Sequence, residues 1–202
     1  CTFSEKSRPR STDFRDEPFF RLYEGETPQE IQTLLTRWIP KGSRVLELAC
    51  GSSRDARFMS GPGAIVEATD GSGPLLKPAE ARAQALLGAE SPSFSLLCLP
   101  PDKGSEDALF ARLPRFDAVY TCGVLQHLSD HELYEGACFM ERAVTDKGTL
   151  IVVVPLDHKG DPDRKTFLRD SLDYATLFER MGFRLASQEI RNGVGSPGHE
   201  CR

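Results

Sequence analysis

The chain has 202 residues, 39% of them hydrophobic and 27% charged, with a formal net charge of -5 and a sequence pI of about 5.5. That length suits one well-buried domain and is short for two. The acidic balance argues against nonspecific nucleic-acid binding, whose affinity comes from Lys and Arg set against phosphates. No apolar run approaches the roughly 18 residues of a membrane span, and the first residues do not resemble a signal peptide.

Residues 1–26 are polar but interleaved with Phe3, Phe14, Phe19, Phe20 and Tyr23. A disordered tail is poorer in aromatics, so this stretch is expected to form an arm that folds back onto the body. Thr27-Pro28-Gln29-Glu30 then carries the cap, N1 proline and acidic first turn of a helix start. Ile31, Leu34, Leu35 and Trp38 give that helix one apolar face, and Pro40 with Gly42 stops it.

From there strand and helix signals alternate. Apolar, β-prone runs lie at 44–49, 64–69, 94–99, 116–121 and 149–154, with helical patterns near 54–60, 74–88, 105–112 and 130–143. Such alternation predicts an α/β fold, a doubly wound, mainly parallel sheet in a three-layer sandwich. Residues 27–202 are expected to form this single domain. A polar loop (157–165), a helix around 170–181 ended by Gly182, and a sixth strand at 183–190 are expected to follow. Pro100 to Gly104 reads as loop, and Arg164 to Arg169 reads either as lining the substrate side or, as expected here, as solvated charge. The tail from Asn192 carries three glycines and a proline and no further strand signal.

In sheets of this kind a ligand sits outside the carboxyl ends of the strands. After the first strand comes Ala49-Cys50-Gly51-Ser52-Ser53, a turn of small residues in which Ser53 is positioned to cap the next helix. Glu47, near the strand's end, is not ordinary core filler, because burying an unpaired carboxylate costs several kcal/mol. It either faces a ligand or pairs with a cation such as Arg54. After the second strand comes Asp70-Gly71-Ser72, with an acid about twenty residues beyond the glycine turn, the position that meets ribose hydroxyls. The full G-x-G-x-x-G of a pyrophosphate loop is absent, and so is a Walker-type sequence. NAD and nucleoside triphosphates are therefore disfavoured, and a nucleoside ligand without a pyrophosphate remains. S-adenosylmethionine fits that description.

The succession VLELACGSSRD, VEATDGS, FDAVYTCGVLQHL and GTLIVVVP resembles the class I S-adenosylmethionine-dependent methyltransferases over about residues 27–190. The small-molecule branch, including tellurite-resistance-type enzymes, is the nearest part of that family. The resemblance implies a seven-stranded sheet whose last strand is antiparallel. It implies S-adenosylmethionine with its methionine end over Glu47, Ala49, Cys50, Gly51 and Ser53. The ribose would lie at Asp70, with Gly71 and Ser72 beside it, and the sulfonium near Cys122 and Gly123. The family's glycine triad corresponds here to Ala49, Gly51 and Ser53. Its adenine-binding acid has no clear counterpart, which leaves Asp102, Leu99 or a backbone amide for that role, and no pattern for a seventh strand follows Ile190.

The Asp/Asn-Pro-Pro-aromatic sequence of DNA and protein amine methylases is missing after the fourth strand, which makes base methylation improbable. His127 there is a candidate general base; the alternative is that it packs or hydrogen-bonds at the start of a helix. His131 reads as exposed first-turn polarity. The implied function is methyl transfer to a small-molecule acceptor by direct in-line displacement. The alternative is a non-catalytic module that binds S-adenosylmethionine or S-adenosylhomocysteine on the same fold. The six cysteines (1, 50, 98, 122, 138, 201) form no CxxC pair and no metal-type spacing with His, so no metal is expected. Reduced thiols in a cytoplasmic protein, with no nucleic-acid or membrane partner, complete the expectation.

Overall fold

A computed structural model of the chain describes residues 27–156, 166–167 and 169–190. The aromatic arm, the polar loop at 157–165 and the glycine-rich tail lie outside the described residues. Helix α1 (Gln29–Trp38) turns Ile31 and Leu35 inward at helical spacing. Pro28, not Thr27, stands at its N-cap, and the Thr27 hydroxyl instead donates to the Arg54 carbonyl at 3.3 Å. Strand β1 (Arg44–Leu48) and helix α2 (Arg54–Ser60) follow, then β2 (Ile65–Asp70), α3 (Gly73–Leu87) and β3 (Ser93–Leu96). Next come α4 (Lys103–Arg112), β4 (Phe116–Cys122), a 3-10 turn at Leu125–His127, α5 (Asp130–Ala143), β5 (Val144–Val153) and α6 (Ser171–Arg180).

Helix starts are set by side chains that satisfy otherwise orphaned N–H groups. Ser129 and Glu132 form a capping box on α5, Asp170 and Asp173 another on α6, and Asp102 caps α4. The stretch from Lys103 that reads as loop is therefore the first turn of α4.

The five strands form one parallel sheet in the order β3-β2-β1-β4-β5. Alternation along the strands divides the core in two. Val45, Val66, Ala68, Ala118 and Tyr120 pack with α1 and α2 on one face, whereas Leu46, Leu48 and Val119 pack with α4, α5 and α6 on the other. Strand order reverses at β1, which lies between β2 and β4. The carboxyl ends of β1 and β4 therefore frame the switch-point crevice.

Three expected strands change, the fifth by starting at Val144 rather than at 149. The third ends at Leu96, because Leu97 makes its last bond to the Asp70 carbonyl and the chain then turns through a cis Leu99–Pro100 peptide. Residues 183–190 form no strand: Leu185 and Ile190 are exposed, and no ladder partner lies beside them among the described residues. Propensity without a hydrogen-bonded neighbour does not make a strand. No antiparallel strand is present among the described residues.

Candidate functional site

The loop after β1 is built from alternating left-handed residues: Ala49 has φ 58°, Gly51 φ 53° and Ser53 φ 59°. Glycine takes this conformation freely, whereas Ala and Ser are strained there. The triad correspondence is thus realised in backbone shape even where the glycines are replaced. Ser53 occupies the N-cap of α2 without capping it, and its hydroxyl donates to the Ala79 carbonyl of α3 at 3.4 Å. The left-handed φ turns that hydroxyl away from the helix's free N–H groups.

Asp70 ties this loop to the next one. Its Oδ2 accepts the Gly51 N–H at 2.9 Å and its Oδ1 accepts the Ser72 N–H at 2.8 Å. Ser72 caps α3 through a 3.4 Å bond from Leu75 N–H. A Cβ on Gly71 would lie 3.2 Å from Cys98 Sγ, so glycine lets the β2 and β3 turns touch. The Cys50 N–H donates to the Thr69 carbonyl at 2.8 Å, which places this residue at the foot of the same turn.

Glu47 stands opposite Tyr120 in the β1–β4 register and is only 4% exposed. Arg54 does not pair with it: its Nε and Nη2 hold both oxygens of Asp55 at 2.8 and 3.2 Å, and the Tyr120 hydroxyl donates to Asp55 Oδ2 at 2.7 Å. Glu47 Oε2 is buried with no hydrogen-bond partner among the described residues. Burial first, then the Asp55 carboxylate, push the Glu47 carboxyl well above its ordinary range. Burial, then Glu47 and Asp70, pushes the Cys50 thiol up; burial, then Cys122 and Asp55, pushes the Tyr120 phenol up; and burial, then Asp55, holds the Cys122 thiol up at about 12. Three carboxylates, Glu47, Asp55 and Asp70, thus share the crevice with the Arg54 guanidinium, while Arg57 Nη1 donates to the Ser52 carbonyl at 3.1 Å. This arrangement suits a cation and repels a phosphate.

The turn after β4 bends at Gly123 (φ 70°), whose N–H donates to the Val153 carbonyl at 2.9 Å. Gln126 Nε2 donates to the Gly123 carbonyl at 2.7 Å and lies 3.2 Å from His127 Nε2. His131 is exposed beside Glu135, as expected. Asp102 is exposed and spends its carboxylate on Ser105, so it does not enter the crevice. Leu99 packs its side chain towards Gly136 of α5, which leaves backbone rather than side chain at that turn. Arg169 overturns the reading of solvated charge: its side chain is 8% exposed and bonded to the start of α5.

The structure therefore gathers Glu47, Ala49, Cys50, Gly51, Ser53, Asp70, Gly71 and Ser72 at neighbouring strand ends, with Cys122, Gly123 and His127 across β4. Asp55 and Tyr120 escape sequence reading. The signal in retrospect is a tyrosine in the inward-facing set of β4, two residues before the strand's carboxyl end.

No family model and no curated protein sequence matches this chain. Solved structures do. The magnesium protoporphyrin IX methyltransferase of Synechocystis PCC 6803 with bound S-adenosylmethionine aligns over 91% of each chain, at 16% identity and a TM-score of 0.67. A TehB-like S-adenosylmethionine-dependent methyltransferase of Corynebacterium glutamicum aligns over 75% of this chain and 71% of that one, at 20% identity and 0.55. Phosphoethanolamine N-methyltransferase 2 of Haemonchus contortus, in complex with S-adenosyl-L-methionine, aligns over 76% of this chain and 36% of its own, at 20% identity and 0.58. The chain has the Rossmann-like fold of class I S-adenosylmethionine-dependent methyltransferases.

Proposed function

We propose that this chain is an S-adenosylmethionine-dependent methyltransferase acting on a small molecule in the cytoplasm. The observation that carries the reading is the unpartnered, buried Glu47 oxygen at the switch point, flanked by Asp55 and Asp70. S-adenosylmethionine brings a methyl group already activated on a sulfonium and carries a cationic amine, so it fits a cluster of acids.

Glu47 would accept hydrogen bonds from the amine, with Asp55 held behind it by Arg54 and Tyr120. Asp70 would meet the ribose hydroxyls, since its carboxylate stands at the end of β2 where it joins the Gly51 and Ser72 turns. The backbone of Ala49 to Ser53 and of Gly71 would follow the ligand, Leu99 would offer the adenine its backbone, and Cys122 and Gly123 would border the reacting side. Holding nucleophile and methyl in line supplies much of the acceleration by proximity. His127 would take the acceptor's proton where the nucleophile carries one. The thiols at 50, 98, 122 and 138 are unpaired, which accords with a reducing compartment.

Calorimetry with S-adenosylmethionine and S-adenosylhomocysteine tests the reading. Binding by the wild type, weakened in Asp70→Ala, is expected; no binding by the folded protein overturns it. Binding without transfer to a panel of thiols, amines, hydroxyls and carboxylates would instead leave a non-catalytic module. A pH–rate profile of His127→Asn separates its two roles. Loss of the rising limb marks a base, and an unchanged profile marks packing.

A further inference from the structure

The chain returning from β5 meets the turn after β4. Phe167 N–H donates to the Gln126 carbonyl at 2.7 Å, and two residues on the Arg169 guanidinium lies 5.4 Å from the Phe167 ring centroid. Arg169 Nη2 donates to the Leu128 carbonyl at 2.8 Å and to Asp130 Oδ1 at 2.7 Å, and its Nε reaches the same oxygen at 3.2 Å. One edge of the guanidinium is thereby fixed. The other is not: Nη1 is buried and has no hydrogen-bond partner among the described residues. The Tyr174 hydroxyl, from the first turn of α6, is equally buried and unpartnered. The guanidinium lies beside the phenol oxygen, and first its hydrogen-bonding approach and then its charge oppose the upward push that burial gives the phenol.

A contact between the two uses the phenol oxygen as an acceptor and still leaves the Tyr174 O–H and the outer side of Nη1 without an acceptor among the described residues, a costly arrangement that an acceptor group would relieve. From this pair we infer that Arg169 and Tyr174 form a subsite for a carboxylate of the methyl acceptor, an inference that rests on the methyltransferase reading. A planar guanidinium fixed on one edge presents its remaining N–H groups in the geometry a carboxylate oxygen takes. Charge favours a monoanion over a phosphate. Arg169 already shares its charge with Asp130, and Asp173 also faces Tyr174, so a dianion would be undercompensated. The Phe167 ring beside the guanidinium gives the site an apolar wall.

Benzoate, with benzamide as its uncharged counterpart, probes the subsite on the full chain by calorimetry at constant ionic strength. Benzoate is expected to bind at least about tenfold more tightly than benzamide, the scale of one charge-assisted contact. Arg169→Gln should remove that preference, and Tyr174→Phe should weaken benzoate roughly three- to tenfold with the fold intact. Should the Arg169 variant not fold, Tyr174→Phe decides between the outcomes by itself. Equal binding of the two probes, or benzoate binding unchanged in Tyr174→Phe, overturns the subsite. S-adenosylhomocysteine is titrated separately, and both variants should bind it as the wild type does. A chain that binds benzoate selectively but not S-adenosylhomocysteine sinks the methyltransferase reading and leaves the carboxylate site. The converse sinks only the subsite.

Discussion

The carboxylate of Asp70 accepts the backbone N–H of Gly51 at 2.9 Å, joining two strand-end turns that lie 19 positions apart in the chain. A second bond, from Ser72 N–H, holds the other oxygen, so one side chain sets the spacing of both turns. Asp70→Asn places an amide donor against one of these N–H groups and removes the charge. The expected loss is about 1–3 kcal/mol of stability in urea unfolding. Affinity for S-adenosylhomocysteine should fall about 10- to 100-fold. A variant indistinguishable from wild type in both would mean the carboxylate does not organise the site.

Glu47 makes stability depend on pH in a fixed direction. Its folded pKa lies above the ordinary value of 4.5 because burial, then Asp55, disfavours the anion. Below the unfolded pKa both states hold the proton and there is no cost. As pH rises past it, the unfolded chain releases its proton while the folded one retains it, and the cost grows until the folded group ionises. Glu47→Gln should therefore raise the Tm at neutral pH, with a gain that shrinks as pH falls towards 4.5. The same variant should lose at least about tenfold in S-adenosylmethionine affinity, the scale of one charged hydrogen bond. A gain independent of pH would contradict the assignment.

Ala49 and Ser53 hold left-handed backbone that glycine adopts at less cost. Relief of roughly 1–2 kcal/mol is partly offset by the greater freedom of glycine in the unfolded chain. Ala49→Gly should stabilise the protein by about 0.5–1 kcal/mol in urea melts. Ser53→Gly should gain less, since it also gives up the hydroxyl bond to Ala79. A destabilised Ala49→Gly would mean the side chain packs better than the backbone suffers.

The Cys122 thiol, raised to about 12 by burial and then by Asp55, is almost wholly protonated near neutrality. At pH 8 its thiolate fraction is about one in ten thousand, and the thiolate is the reactive form. Peptide mapping after brief iodoacetamide treatment should find Cys98, which is exposed, labelled well before Cys122. Both should label alike in urea. Early labelling of Cys122 in the folded protein would show that the crevice is open and wet.

Much of the fold is legible along the chain because its signals are local. Helices α2 and α5 fall on the residues that periodicity and capping indicate, Arg54–Ser60 and Asp130–Ala143. A strand's hydrogen bonds are not local, which is why 183–190 carries β-prone residues and forms no ladder. The turns that bear the candidate site stand out for the same local reason: small residues and an Asp-Gly pair stand where strands end.

The sequence by itself determined the alternating elements, the short glycine count that disfavours a pyrophosphate, and the acids at the ends of the first two strands. Only the tertiary structure decided what those acids do. Arg54 is one residue from Asp55 and seven from Glu47, and spacing alone allows either pair. Burial and the Tyr120 hydroxyl, brought across from β4, commit Arg54 to Asp55 and leave Glu47 Oε2 without a partner. Likewise Arg169, one charge among several in a polar stretch, becomes a buried guanidinium only because α5 and α6 close around it. Which charge is paired and which is left to meet a ligand depends on desolvation and on neighbours distant in the chain, and both are fixed by packing.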